Sequence, residues 1–357
     1  MKRILLEWVL CTGFAGGISG ISAQTLEGTY TTELQYGSGR RLNWVNLVRL
    51  DASMPLKNGS FDLSTIHIYK VNPERIADDW QVFSNIEEDT RAISIFILGY
   101  TQRFRNMSLF GGIRNVNEDY FNSPVTSLFT NSSCGIFPTL SANYPMANYP
   151  LSTVCLGYKL SLNSWHIESS VYNGVAHSGL GRKEHIFLDN PLKDGFLSIS
   201  SINYQTDYGS YFGGVALHNR MYHCNESGEQ ATETEKETRT RKMNCAWWVY
   251  AEQLLCRQGN NRINLLIQYS ENPTIRVGCR RYSGLGVVWS GYQGNKEVFD
   301  WGICLNYARF EIGNEMALEA TYKIRLMDKW VLQPAFHWIK NSVGTYVIGM
   351  MRMNITI

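Results

Sequence analysis

The chain has 357 residues, 44% of them hydrophobic and 13% aromatic, enough to build a sizeable folded body. Its 33 lysines and arginines are nearly matched by 31 aspartates and glutamates. That balance excludes the broad basic footprint that a nucleic-acid partner needs and leaves any charge effect to be local.

Lys2 and Arg3 precede an apolar run from Ile4 to about Ile21 that closes on Ser22 and Ala23. The pattern predicts an export signal over residues 1–23 and a folded part over 24–357; an uncleaved anchor is the other reading of the same run. No later stretch is long and apolar enough for a membrane helix. Soluble export or a β-barrel remain.

Helical periodicity is almost absent, whereas apolar and polar residues alternate over stretches of about ten, the length with which a tilted strand crosses a bilayer. Trp44 to Leu56 is the first, with Arg49, Asp51 and Ser53 opposite Val48, Leu50, Ala52 and Met54. Asn58-Gly59, Asp194-Gly195 and Gln258-Gly259-Asn260 read as hairpin links. The charged stretch from Cys224 to Cys245 has no apolar pattern and reads as an extracellular loop. Its two cysteines could close that loop as a disulfide, or serve, like the other cysteines, as small packing residues.

Trp301 to Arg309 alternates again. In Leu318 to Leu326, residues Leu318, Ala320, Tyr322, Ile324 and Leu326 oppose Glu319, Thr321, Lys323 and Arg325. Trp330 to Ile339 repeats the pattern, although Pro334 is awkward inside a strand. Tyr346 to Ile357 ends the chain within a strand, which fits a closed barrel whose last strand pairs with its first. Alternation alone also suits a secreted or surface-attached all-β carbohydrate-binding or adhesion protein.

Seven cysteines follow residue 23, without CxxC or Cys/His spacing for zinc, so no metal and no cofactor is expected. GxSxG, HExxH and P-loop motifs are missing, and the adjacent acids Glu87-Glu88 and Glu118-Asp119 lack the separation of a glycosidase pair. No catalytic residues are assigned.

The run Gly111-Gly112-Ile113-Arg114-Asn115-Val116-Asn117-Glu118-Asp119-Tyr120-Phe121, followed by Ser127-Leu128-Phe129-Thr130-Asn131-Ser132-Ser133-Cys134-Gly135, resembles the carbohydrate-selective porin (OprB) family. The proline-rich part, Phe137-Pro138, Asn143-Tyr144-Pro145 and Asn148-Tyr149-Pro150, is similar too. Gly157, Tyr172-Asn173-Gly174, Tyr282-Ser283-Gly284-Leu285-Gly286, Glu319-Ala320-Thr321-Tyr322 and Trp330-Val331-Leu332-Gln333-Pro334 extend the likeness over roughly residues 40–357. The resemblance implies an all-β transmembrane antiparallel barrel of sixteen strands, with short periplasmic turns and longer extracellular loops. It further implies passive passage of glucose and similar sugars across the outer membrane of a Gram-negative bacterium. Expected partners are small sugars, outer-membrane lipid and the barrel assembly machinery, the chain being a monomer or small homo-oligomer that binds no nucleic acid.

A sugar losing water needs hydrogen-bond partners and flat apolar faces, which charged forks, carboxylates, amides and aromatic rings supply. Arg114 shares a face with Phe110 and Gly112, so it leads the constriction candidates, with Asn117, Glu118 and Asp119 after it. Arg49, Asp51, Lys323 and Arg325 face the lumen by alternation, as do Glu319 and Arg352; His67, Gln333 and His337 are weaker candidates. Each has a plain alternative as a solvated or salt-bridged wall residue. The segment from Phe137 to Pro150, with Tyr144 and Tyr149, either narrows the pore or is a surface loop.

Overall fold

A strand with one apolar and one polar face needs partners for its backbone N–H and C=O groups on both edges, and a sheet closed on itself provides them. The computed structural model describes residues 25–37, 39, 41–176, 180–181, 184–185, 194–223, 239–275, 278–294 and 296–357. In the first half the strands are β1 (Thr25–Gly37), β2 (Leu42–Leu56), β3 (Gly59–Lys70), β4 (Arg91–Arg103), β5 (Met107–Arg114), β6 (Thr153–Leu162), β7 (Trp165–Asn173), β8 (Leu180–Gly181) and β9 (Glu184–His185). The second half contains β10 (Phe196–Thr206), β11 (Gly209–His223), β12 (Arg239–Gln258), β13 (Asn261–Glu271), β14 (Cys279–Gln293), β15 (Lys296–Phe310), β16 (Gly313–Met327), β17 (Trp330–Lys340) and β18 (Thr345–Thr356).

Among the described residues, sixteen strands form one closed antiparallel barrel, and β8 and β9 make a separate small hairpin between β7 and β10. The sheet closes where β1 meets β18, from Thr29 opposite Thr356 to Gly37 opposite Ile348. Described helix is limited to α1 (Pro138–Ser141) and three 3-10 turns. The expected all-β sixteen-stranded barrel is therefore what the chain forms.

One end of the barrel carries tight turns. Gly259 and Asn260 join β12 to β13, with Gly259 at φ 58°, a left-handed conformation that favours glycine. The other end carries residues 71–90 between β3 and β4, and residues 115–152 between β5 and β6. Asp194-Gly195 differs from expectation, because it closes the long excursion before β10 instead of a hairpin. The charged stretch before Cys245 is also partly strand, since β12 begins at Arg239 and pairs with His223. Its polar side chains do not prevent ladder pairing, which uses backbone groups. The expected export signal and Cys224 lie outside the described residues.

Outward-facing Leu285, Leu305, Phe336 and Met351 are exposed, while inward-facing Asn306, Glu319, Gln333, Ala335, His337 and Arg352 are buried. Alternation thus gives the faces correctly along β16, β17 and β18. Pro334 is accommodated within β17 because the ladder to β16 breaks there, passing from Thr321–Ala335 to Ile324–Leu332. Aromatic side chains gather near the turn end as Trp165, Tyr204 and Tyr211, with ring centroids 4.5 and 6.4 Å apart. Tyr36, Trp44, Tyr69 and Trp247 are exposed towards the opposite end. Two such aromatic girdles bounding an apolar belt fit a bilayer and not a soluble sandwich.

Candidate functional site

The lumen is shaped by the two long segments, which turn inward. Asparagine and proline set their local structure. Asn115 Oδ1 accepts from Asn117 N at 2.8 Å to open the turn Val116–Glu118, and Asn131 Oδ1 accepts from Ser133 N at 2.9 Å to open Ser132–Cys134. Pro138 starts α1, where its missing N–H leaves nothing unsatisfied. The proline-rich part lies inside the barrel: Phe137, Leu140, Tyr144 and Met146 are buried.

These side chains join an apolar core with the inner face of β10 to β15. Phe121 lies 4.9 Å from Trp248, and Phe137 stacks on Tyr282 at 5.1 Å and meets Tyr250 edge-on at 6.0 Å. Glycines in the wall make room for this filling. A Cβ at Gly302 would lie 2.8 Å from Leu128 Cδ2 and 3.1 Å from Phe129. The lumen is thus filled on the β10–β15 side.

The open part is a channel of about 670 Å³ along β18, β1, β2, β3 and β4, closed in by residues from both inward segments. Its volume lies within the ~300–1,000 Å³ typical of small-molecule sites. Trp80, Phe96, Phe121, Phe129 and Tyr149 offer rings to it, and Asn85, Asn117, Asn122, Ser127, Ser132 and Asn354 offer amides and hydroxyls. Among the described residues, its lining has four cations (Arg49, Lys70, Arg75, Arg352) and four carboxylates (Glu87, Glu88, Asp89, Glu118). Three of the cations bind carboxylates just behind the lining, Asp51, Asp79 and Glu33, so lining and partners together hold more carboxylates than cations.

The cations are all paired. Arg49 donates to both oxygens of Glu118 at 2.7 and 3.0 Å and to Asp51 at 2.9 Å, with its guanidinium 5.2 Å from the Phe96 ring centre. Lys70 and Glu87 form a buried ion pair at 2.9 Å. Arg75 binds Asp79 at 2.6 Å, and Arg352 binds Glu33 across the β1–β18 seam. Burial pushes the Asp79 carboxyl up to about 7, against the pull of Arg75.

The structure brings Arg49, Asn117 and Glu118 together on the channel, with Asp51 behind Arg49. Arg114 and Asp119 sit aside, lining a separate cavity of about 50 Å³ with Lys159 and Glu168. Asp119 binds Arg114 at 2.5 Å and Lys159 at 2.7 Å. Burial alone would lift the Asp119 carboxyl, but these two cations outweigh it and hold it below the ordinary carboxylate range. Lys323 is paired with Glu297 and Asp300 near the turn end, and Arg325 is exposed beside it, donating to the carbonyls of Glu297 and Asp328. Neither lines the channel. Sequence reading missed residues 71–90, which supply Trp80, Asn85, Glu87 and Glu88. Their signal is the pairing of Trp80 and Phe83 with dense charge and no alternation, unusual for a solvated loop.

A closed sixteen-stranded barrel with an apolar outer belt, two aromatic girdles and a lumen narrowed by inward segments defines a porin, a class of the bacterial outer membrane. The family model for the carbohydrate-selective porin, OprB family, matches residues 40–357, and the chain belongs to that family. In fold it is similar to OprB of Pseudomonas putida in its high-pH structure, with a TM-score of 0.77, 12% identity and 94% of each chain covered. A loop-deletion mutant of OmpT, an outer membrane protein of Vibrio cholerae, gives a TM-score of 0.59 at 8% identity, covering 94% of this chain and 99% of that one. A mutant of Rh. blastica porin gives 0.56 at 8% identity, covering 94% and 100%. No curated protein sequence matches this one.

Proposed function

We propose that this porin passes small uncharged sugars such as glucose by passive diffusion, with the barrel's turn end in the periplasm. The composition of the channel lining carries the reading: its described cations are all ion-paired, so anions find little open positive charge, and it keeps many donors, acceptors and aromatic faces for a neutral solute. A hexose crossing it exchanges water for Asn117, Asn122 and Ser127 and lays its C–H face on rings such as Phe121 or Tyr149. Arg49 and Glu118 form the charged fork that a sugar hydroxyl meets, and Asp51 orients Arg49. Arg114 and Asp119 act one layer behind, fixing the start of the inward segment, while Lys323 and Arg325 border the turn-end mouth. Outer-membrane lipid and the barrel assembly machinery are the other partners implied.

The test is solute uptake by liposomes carrying the refolded protein, comparing glucose with a neutral sugar of three rings and with empty liposomes. Uptake of glucose alone supports a size-limited sugar channel. Inserted barrels that admit no glucose overturn the reading.

A further inference from the structure

Three glutamates of the barrel wall reach the inward segments without lining the channel. Glu315 and Glu319 lie on the inner face of β16, and Glu252 lies on that of β12; all three are buried. Each receives consecutive backbone N–H groups. Glu315 accepts from Trp80 N and Gln81 N, both at 2.8 Å. Glu319 accepts from Thr130 N at 2.8 Å and Asn131 N at 2.9 Å, with Thr130 Oγ1 at 2.9 Å. Glu252 accepts from Val125 N at 3.0 Å, Thr126 N at 3.2 Å and the Ser123 hydroxyl.

None of the three forms a salt bridge among the described residues, so their carboxyl oxygens serve to accept hydrogen bonds and not to pair across the wall. The groups they hold are next to the channel or on it: Trp80, Gln81 and Thr126 line it, and Phe129 precedes Thr130. The two segments are also tied to each other, Asn85 N to Thr130 O at 2.7 Å and Ser132 N to Val82 O at 2.9 Å. A shift at one anchor therefore moves both sides of the opening.

We propose that Glu252, Glu315 and Glu319 are positioning residues that set the largest solute the channel admits. The inference rests on the sugar-channel reading. A glutamine at 315 or 319 keeps the shape but turns one of two acceptor oxygens into an NH2 that opposes a backbone N–H, so the segment backs away from the wall.

The test compares Glu252→Ala, Glu315→Gln and Glu319→Gln with the natural protein by single-channel conductance and by liposome uptake of glucose and a neutral trisaccharide; alanine is used at 252 because all three donors there meet one oxygen, which a glutamine would keep. Each protein is first shown to be an assembled barrel by heat-dependent gel migration. The expected result is higher conductance and entry of a trisaccharide that the natural channel excludes. Phe336→Ala, on the outer face, is the comparison for a change in wall stability alone and keeps the natural size limit. Assembled variants with natural conductance and size limit overturn the proposal. If a variant does not assemble, Ser123→Ala and Thr130→Ala each remove one donor from an anchor and carry the same expectation, and a natural size limit in both overturns it. Failure of the natural protein to take up glucose would instead sink the underlying channel reading.

Discussion

Replacing Arg49 by alanine removes one of four lining cations and leaves Glu118 and Asp51 without their partner, so the channel gains one net negative charge. An ion passing ~6 Å from that charge in water feels ~0.7 kcal/mol, attractive for a cation and repulsive for an anion, a difference of ~1.4 kcal/mol. Screening over a Debye length of ~10 Å at 0.1 M salt roughly halves it. The cation preference should therefore rise about three- to tenfold. Reversal potentials in a planar bilayer under a potassium chloride gradient read this directly. Relative to the natural channel, the variant should reverse closer to the potassium potential. An Arg49→Ala channel that reverses where the natural one does would refute the claim that Arg49 offsets the carboxylates of the lining.

Because burial lifts Asp79 to about 7, the docked 71–90 segment holds a proton that the released segment loses near the ordinary carboxylate range of about 4; docking is firmest in acid and weakens as pH rises towards 7. Asp79→Asn should flatten this trend in melting temperature, and an unchanged trend would contradict it. Gly302→Ala sets a methyl against Leu128 and Phe129, an overpacking worth ~1–3 kcal/mol, and should lower conductance by moving Phe129 towards the channel; equal conductance would count against that contact. Phe137→Ala empties the centre of the aromatic filling and should lower stability by ~3–5 kcal/mol in a denaturant titration of the assembled barrel.

Legibility of the sequence followed water. Alternation is plain in β2, β16, β17 and β18, where much of the inner face carries charged or amide side chains. It fades from β10 to β14, where Leu197, Ile199, Trp248, Tyr250, Leu266 and Tyr282 meet the apolar filling inside. A strand apolar on both faces looks like a buried strand of any α/β protein. Arg114 was reachable from local alternation, yet its partner Asp119 is also held by Lys159 of β6, itself paired with Glu168 of β7, and no spacing along the chain announces that this cluster lies away from the channel. Arg49 and Glu118 are 69 positions apart, a pairing that only the closed barrel creates. The residue types were visible early; their distribution between channel and filling was not.

The seam between the first and last strands has a consequence for how the chain becomes a working pore. Thr31 stands on one side of it and Arg352 and Asn354 on the other, all on the channel, and Glu33 neutralises Arg352 across it. An unclosed sheet would lack both the channel wall and the partner of a cation beside it. Selective passage and structural completion arrive together, so a chain stalled in assembly offers no properly sized hole through which the cell's contents could drain.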